Sequence, residues 1–178
     1  MGKRSDFERI ARDFYPTPRE AVAPLLPHLG FGDSFVEPCA GNMALVNALE
    51  EAGLSCRFEG DIEPRHGDVR RADALSDDLA VWADGVDYII TNPPWRRDVL
   101  HPMIRHFSAL RPTWLLFDAD WVHTRQSAEF FPLLRKIVSV GRVKWFPDTK
   151  MTGKDNCCWY LFDAHSSVAT RFFGRVAA

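Results

Sequence analysis

Apolar and polar residues form short blocks along the chain that differ in length and period. Short runs rich in β-branched and aromatic side chains, closed by small or polar residues, predict strands. Longer blocks with apolar residues three to four positions apart predict helices. The two kinds of block alternate, which predicts an α/β fold with a mostly parallel sheet. The predicted strands are residues 34–37, 56–60, 87–91, 113–118, 138–146 and 156–162.

The last two predicted strands are joined by a long polar loop, so they are expected to pair as an antiparallel hairpin. Between the other strands the apolar spacing is helical. The strand at 34–37, the small-residue turn after it and the helix at 43–51 are typical of the start of a Rossmann-type unit. The predicted helices are residues 18–29, 43–51, 76–84, 101–110 and 125–135.

Two of these helices begin with capping signals. Thr17 and Glu20 have the spacing of a capping box, and Pro18 falls at the first helical position. Ser76 is the expected N-cap of the helix at 76–84. Prolines inside the first helix predict a kink or a break in it.

Composition predicts one packed domain without a membrane segment. The 178 residues are 46% hydrophobic and include 13 Phe and 6 Trp, which is enough apolar material for one core. Residues 1–13 carry few apolar side chains and are expected to form an N-terminal arm, with the domain at 14–178. No apolar window is long enough to cross a bilayer, and the basic start lacks the apolar stretch of a signal peptide. We therefore expect a cytoplasmic protein.

The cysteines show no metal-ligand spacing. Cys39, Cys56, Cys157 and Cys158 form no Cys-x-x-Cys pair and have no histidine at zinc-finger spacing. Cys157 and Cys158 are neighbours and would point to opposite faces of a strand. We expect neither a structural metal nor a disulfide.

Charge is distributed unevenly along the chain. Residues 33–87 hold 13 acidic and 4 basic side chains, whereas residues 96–178 hold 7 acidic and 13 basic ones. Uneven surface charge can arise without a function. A basic second half is nevertheless the distribution that a polyanionic substrate would favour.

The segment at 87–95 carries the most specific chemistry. Its sequence, DYIITNPPW, is a buried strand stopped by two prolines, which cannot donate to a sheet ladder. Ligands of open α/β sheets bind at such carboxyl ends of strands. Asn92 supplies a carbonyl acceptor and Trp95 a flat aromatic face, which together suit a planar heterocycle with an exocyclic amine. The alternative is a purely structural Asn-Pro turn.

Asn92, Pro93, Pro94 and Trp95 resemble the [Asn/Asp/Ser]-Pro-Pro-[aromatic] catalytic motif of the S-adenosylmethionine-dependent amino-methyltransferases. These enzymes methylate adenine N6 or cytosine N4. The resemblance extends over residues 13–162 and implies the class I methyltransferase fold, in which a C-terminal antiparallel hairpin closes the sheet. It also implies catalytic roles for the four residues of the motif and S-adenosylmethionine as the cofactor.

Further segments resemble the cofactor motifs of this family. The sequence EPCAG at 37–41 is similar to Asp/Glu-Pro-x-x-Gly, and YPTP at 15–18 is similar to the amino-terminal motif. Asp61 follows the second strand 20 residues beyond Gly41, the position at which Rossmann-like folds bind ribose hydroxyls. The cofactor residues implied by the resemblance are Phe14, Tyr15, Thr17, Glu37, Cys39, Gly41, Asp61, Ile62, Asp73 and Asn92.

Two points in these motifs stay open. The family usually has a second glycine where this chain has Met43, and Met43 would either narrow the cofactor cleft or turn into the core. Asp73 resembles the residue that meets the adenine amino group, but Asp68 could take that role.

The resemblance implies methyl transfer to adenine N6 in DNA, on a base that is flipped out or single stranded. Cytosine N4, RNA adenine and a protein glutamine are alternative targets, and a binding module without catalysis is an alternative of another class. Compact enzymes of this kind resemble those encoded in phages and mobile elements.

Recognition of the nucleic acid has few candidate residues. Arg96, Arg97, Lys150 and Lys154 flank the catalytic corner or lie on the long loop, where they could contact phosphates. We expect no separate target-recognition domain. Selectivity would then come from the segments at 119–127 and 147–155 or from a partner protein.

Overall fold

The computed structural model describes residues 14–145, 153 and 155–175. Its centre is a sheet of eight strands, flanked by helices on both faces. The strands are β1 (Ser34–Glu37), β2 (Ser55–Asp61), β3 (Arg70–Arg71), β4 (Tyr88–Thr91), β5 (Thr113–Asp118), β6 (Leu134–Arg142), β7 (Asn156–Phe162) and β8 (Arg171–Phe173). The α-helices are α1 (Arg19–Val22), α2 (Ala44–Glu51), α3 (Asp78–Trp82) and α4 (Arg97–Leu110), and the 3-10 helices are Leu26–His28, Ala119–His123 and Arg125–Leu133.

The strand order across the sheet is β3-β2-β1-β4-β5-β7-β6-β8. Strands β1 to β5 pair in parallel, and β7 lies antiparallel between β5 and β6. The prediction of a mostly parallel α/β sheet with a C-terminal antiparallel hairpin is confirmed. All five parallel strands end at the same edge, so the residues that follow β1, β2 and β4 meet there.

Two apolar clusters cover the two faces of the sheet. One packs Ile104 and Phe107 of α4 against Phe117 of β5, and the other packs Leu49 of α2 against Trp114. Strands β1 and β5 are buried along almost their whole length, which explains their nearly continuous apolar sequences. The central strands are therefore held rigidly, and so are the residues at their ends.

Both predicted capping signals are wrong. Pro18 takes the N-cap position of α1, and no side chain caps that helix. The Thr17 hydroxyl instead accepts a hydrogen bond from Asn92, a partner far away in sequence. Asp77 takes the N-cap position of α3, and the buried Ser76 hydroxyl has no hydrogen-bond partner within the described ranges. Tertiary contacts outweighed the local capping pattern. The break predicted in the first helix is present, because α1 ends before Pro24.

The C-terminal strands differ most from the prediction. Strand β6 begins at Leu134, four residues before the predicted start, because the preceding helix is a 3-10 helix that ends at Leu133. Pro132 inside that helix cannot donate a backbone hydrogen bond. Strand β6 stops at Arg142, opposite Asn156 of β7. Strand β8, which pairs in parallel with β6, has no counterpart in the prediction.

The cysteines are free thiols. Cys157 and Cys158 lie in different core clusters, on opposite faces of β7, as predicted. Within the described residues, no group of three His, Cys, Asp or Glu side chains is arranged to hold a metal ion. No helix in this part of the chain has the length and apolar character needed to span a membrane.

Candidate active site

A cavity of about 360 Å³ lies at the edge where β1, β2 and β4 end. All ten residues that the sequence predicted for the cofactor line it. They come from five separate segments of the chain, and only the fold brings them together. The lining includes Phe14, Tyr15, Thr17, Glu37, Cys39, Gly41, Asp61, Ile62, Asp73 and Asn92.

The turn after β1 brings the backbone close to the cavity. Gly41 has a φ of 51°, a conformation that side chains disfavour. A Cβ atom at this position would lie 2.6 Å from Cε2 of Phe14. The guanidinium carbon of Arg65 lies 4.2 Å from the centre of the Phe14 ring. The backbone N–H of Arg65 donates to the Gly41 carbonyl. Only glycine fits under this ring.

Asp61 holds the same turn. Its Oδ2 accepts from the Gly41 N–H at 2.9 Å, and its Oδ1 accepts from the Glu63 N–H at 2.7 Å. Each carboxylate oxygen has a second acceptor site. Asp61 can therefore shape the turn and still accept hydrogen bonds from a ligand in the cavity.

The wall beyond Asp61 is apolar and exposed. Ile62 is 52% exposed and Leu75 is 37% exposed, although both are large apolar side chains. Asp73 lies on the same wall, and its Oδ1 accepts from the Leu75 N–H. Asp68 is not part of the lining, so Asp73 is the better placed of the two candidate acids. These residues can cover a flat ring and meet a polar group at its rim.

Glu37 is a buried acid with an unused acceptor. Its side chain is 1% exposed, and Oε1 accepts from Thr91 Oγ1 at 3.4 Å, whereas Oε2 has no hydrogen-bond partner among the described residues. Burial raises the pKa of Glu37 well above its usual value, and the negative charge of Asp61 adds to this. Hydrogen bonds from the Thr91 hydroxyl and the Asn92 backbone N–H oppose the rise. A cation in the cavity would satisfy this carboxyl group.

Asn92 follows β4 and lies under the segment 14–17. Its Nδ2 donates to the Tyr15 carbonyl at 3.2 Å and to Thr17 Oγ1 at 3.1 Å. Its Oδ1 lies 3.4 Å from Trp95 Nε1. The side-chain amide is therefore fixed between the first described residues and the proline corner.

Trp95 and Pro93 are not among the residues that line the cavity, whereas Asn92 and Pro94 are. Trp95 Nε1 donates to the Leu116 carbonyl at 3.2 Å, which ties the corner to β5. The Trp95 ring packs edge-on against Trp145, with centroids 5.8 Å apart, and Trp145 lies 5.8 Å from the Tyr15 ring. Asn92 thus lines the cavity and also contacts Trp95 of this cluster of three aromatic rings, whose Tyr15 lines the cavity as well.

Sequence reasoning missed Trp145. The predicted strand at 138–146 placed it inside the sheet, whereas β6 ends at Arg142 and leaves Trp145 beyond the same edge. A tryptophan three residues past a strand that ends at this edge is the signal that could have found it.

Met43 is the N-cap residue of α2 and has a φ of 70°. It packs against the core cluster that contains Leu49 and does not line the cavity. The side chain therefore turns into the core. A glycine would adopt this backbone conformation without strain. This is consistent with the glycine that the similar cofactor motif of the amino-methyltransferases usually has at this position.

The predicted phosphate contacts lie partly outside the described residues. Arg96 lines the cavity and pairs with Asp98. Arg97, at the start of α4, is exposed and bonds to Gln126. Lys150 and Lys154 lie outside the described residues. The segment at 119–127 is described and forms two 3-10 helices directly after β5.

The sequence matches no family model and no curated protein. The structure is similar to several solved structures of low sequence identity. A proposed class I S-adenosylmethionine-dependent methyltransferase from Listeria monocytogenes has a TM-score of 0.56 and 10% identity, over 94% of this chain and 68% of the other. The chain has the class I methyltransferase fold.

Two other similar structures carry more specific names. The type I restriction-modification system methyltransferase subunit from Streptococcus thermophilus has a TM-score of 0.59 and 10% identity, over 90% of this chain. A proposed RNA methyltransferase from Pyrococcus horikoshii has a TM-score of 0.54 and 16% identity, over 89% of this chain and 90% of the other. This chain spans about half the length of the restriction-modification subunit, 47% of it.

The class I methyltransferase fold explains where the cavity lies. In the strand order β3-β2-β1-β4-β5, strands β2 and β3 follow one another on one side of β1, and β4 and β5 follow on its other side. The strand order therefore reverses between β1 and β4. Open α/β sheets bind ligands at this reversal of strand order, outside the carboxyl ends of the strands. The cavity occupies that crevice, between Glu37 and Asn92.

Proposed function

We propose that this protein transfers a methyl group from S-adenosylmethionine to the exocyclic N6 of adenine in DNA. The observation that carries the proposal is the position of Asn92, which lines a cavity suited to the cofactor and contacts Trp95 of the aromatic cluster. Methyl transfer needs the two reactants to meet at one point. Asn92 lies at the boundary where they would meet.

The residues of the cavity fit S-adenosylmethionine. The unsatisfied Oε2 of Glu37 suits the ammonium group of its methionine part, since a buried acceptor gains most from a cationic donor. The second acceptor sites of Asp61 suit the two ribose hydroxyls. Ile62 and Leu75 can cover the adenine ring. The volume of about 360 Å³ lies in the range of small-molecule sites.

S-adenosylmethionine supplies an electrophilic methyl group bound to a sulfonium. The adenine amine is a weak nucleophile because its lone pair is delocalised into the ring. Asn92 Oδ1 and the Pro93 carbonyl would each accept one hydrogen of that amine. Their dipoles would stabilise the positive charge that develops on nitrogen as the N–C bond forms and the S–C bond breaks, which is electrostatic preorganisation. S-adenosylhomocysteine would be the leaving group, and the methylated amine would lose one proton to solvent. The fixed amide of Asn92 also aligns the amine for attack.

The aromatic cluster suits a base that has left the duplex. A paired base cannot reach the corner, so the target must be flipped out or single stranded. Trp95 and Trp145 offer ring faces and edges beside Asn92 on which a base can pack. Arg96 and Arg97 are exposed at the start of α4, next to the corner, and could contact the phosphates of the strand.

The test is methylation of defined nucleic acids. The protein is incubated with labelled S-adenosylmethionine and single-stranded DNA, duplex DNA or RNA, and methylated nucleosides are identified by mass. We expect N6-methyl-2′-deoxyadenosine from DNA, and a turnover at least about 100-fold lower for Asn92→Ala. Asn47→Ala, an exposed asparagine of α2, is the matched control and should keep wild-type turnover.

Other products would assign a different target. N4-methylcytosine would identify a cytosine enzyme, and a product in RNA alone would identify an RNA enzyme. Cofactor binding without methylation of any of these substrates would refute the proposal and leave a protein glutamine or a binding module.

A further inference from the structure

The partners of the Asn92 amide have fixed hydrogen-bond roles. A backbone carbonyl can only accept, and an indole N–H can only donate. The Tyr15 carbonyl lies 3.2 Å from Nδ2, and Trp95 Nε1 lies 3.4 Å from Oδ1. If the amide rotated by half a turn, both contacts would oppose like groups. The protein therefore fixes which end of the amide is the acceptor.

Thr17 adds the third contact, at 3.1 Å from Nδ2. Its side chain is only 6% exposed, so water cannot easily replace its hydroxyl as a partner for the amide. Loss of a buried partner costs more than loss of an exposed one, because the remaining group stays unsatisfied. The contact also has the shorter distance of the two that Nδ2 makes.

We infer, on the basis of the proposed function, that Thr17 is a positioning residue for Asn92 rather than only a contact of the cofactor. With Nδ2 bound to Thr17 and Tyr15, Oδ1 keeps one acceptor site for the target amine beside the contact with Trp95. In the opposite orientation the amide would present a donor to an amine that is becoming cationic. That orientation would oppose the reaction.

Thr17→Val tests this inference, because valine has nearly the same shape and no hydroxyl. We expect kcat to fall about tenfold, which corresponds to ~1.4 kcal/mol, the scale of one buried hydrogen bond. Affinity for S-adenosylmethionine should stay within about twofold of wild type. Thr17→Ser keeps the oxygen and should restore most of the rate.

Thr113→Val is the matched control. Thr113 is fully buried at the start of β5, and its hydroxyl donates to the Arg111 carbonyl at 2.8 Å, at the opposite end of that strand from the site. This variant also loses a buried hydrogen bond, but kcat should not change. Equal losses of kcat in the two valine variants would indicate a general loss of stability and overturn the inference.

A double-mutant cycle separates action through Asn92 from other effects. Once Asn92→Ala has removed the amide, Thr17→Val should cause no further loss of rate. An equal loss in both backgrounds would show that Thr17 acts independently of Asn92. A fall in cofactor affinity that accounts for the whole loss of rate would make Thr17 a cofactor contact. Either result overturns the inference.

A second readout does not depend on activity. In protein with ¹⁵N-labelled asparagine, the side-chain signal that disappears in Asn92→Ala identifies this amide. Its protons should exchange slowly with solvent in wild type and faster in Thr17→Val. Slow exchange in a wild type that methylates no substrate would support the fixed amide and refute the proposed function. Fast exchange in wild type would overturn the inference whatever the activity.

Discussion

Glu37 should couple cofactor binding to the release of a proton. Burial raises the pKa of this carboxyl group well above its usual value, and its Oε2 has no hydrogen-bond partner in the part of the chain that the structure describes. An ammonium group that binds there favours the carboxylate and lowers that pKa again. Binding should therefore release up to one proton. The affinity for the cofactor should rise by about tenfold per pH unit, as long as the pH stays between the pKa of Glu37 in the complex and its pKa in the free protein.

The Glu37→Gln variant isolates this effect. It keeps the shape of the side chain and removes the charge, so a charge-assisted hydrogen bond to the cofactor is lost. We expect an affinity loss of ~1.5 to 3 kcal/mol, toward the upper end because the side chain is 1% exposed. Release of protons should disappear, and the affinity should no longer vary with pH.

The same carboxyl group should make the free protein less stable as the pH rises, whereas it makes cofactor binding tighter. Its pKa is higher in the folded than in the unfolded state, so the folded state binds more protons once the pH exceeds the unfolded value. The contribution of Glu37 to stability therefore falls as the pH rises from the unfolded pKa toward the folded pKa. At neutral pH, Glu37→Gln should unfold at a higher temperature than wild type.

Titration calorimetry in two buffers with different ionisation enthalpies measures the released protons. Glu59→Gln is the matched control, since Glu59 lies opposite Glu37 in the neighbouring strand and does not line the cavity. This variant should bind and release protons as wild type does. The reasoning fails if wild type releases no proton and Glu37→Gln binds S-adenosylmethionine as tightly as wild type.

Three further predictions address the rest of the site. Asp61→Ala should weaken S-adenosylmethionine binding by ~1.5 to 3 kcal/mol and lower the melting temperature, because the N–H groups of Gly41 and Glu63 lose their acceptor; unchanged affinity in calorimetry would remove Asp61 from the cofactor site. Trp95→Ala should weaken binding of an adenine-containing single strand by roughly 1 to 3 kcal/mol in fluorescence anisotropy. The Trp95→Ala variant should bind the cofactor with the same affinity as wild type, which serves as the control. Arg97→Ala should reduce the slope of DNA affinity against salt concentration by the amount expected for about one phosphate contact. If the affinity of wild type for DNA does not change between low and moderate salt, that result would argue against a polyanionic substrate.

Much of the cavity could be predicted because its polar residues follow strands. Glu37, Asp61 and Asn92 each come at or directly after the end of a predicted strand, and all parallel strands of a sheet end at one edge. The period of the sequence thus placed these side chains near one another without any knowledge of their contacts.

The contacts around Asn92 could not be predicted, because they join segments far apart in sequence. Thr17 has the local pattern of a helix cap, and only the packed structure shows that its hydroxyl serves an amide 75 residues away. Trp145 was assigned to a strand whose end depends on its pairing with β7. Strand β8 has three residues, and its formation depends on the open edge of β6. These features depend on tertiary contacts that local patterns do not encode.

The hydrogen bond from Trp159 Nε1 to the Ala21 carbonyl, at 2.8 Å, spans 138 residues. It fastens α1 to β7, and α1 directly follows the segment 14–17 that holds Asn92. During synthesis, the early residues would have to wait for β7 before this contact could form. Contacts of such long separation are expected to form late and to slow folding. The Asn92 amide would thus be among the last parts of the protein to become ordered, so newly made chains should gain stable β-structure before they gain the proposed activity.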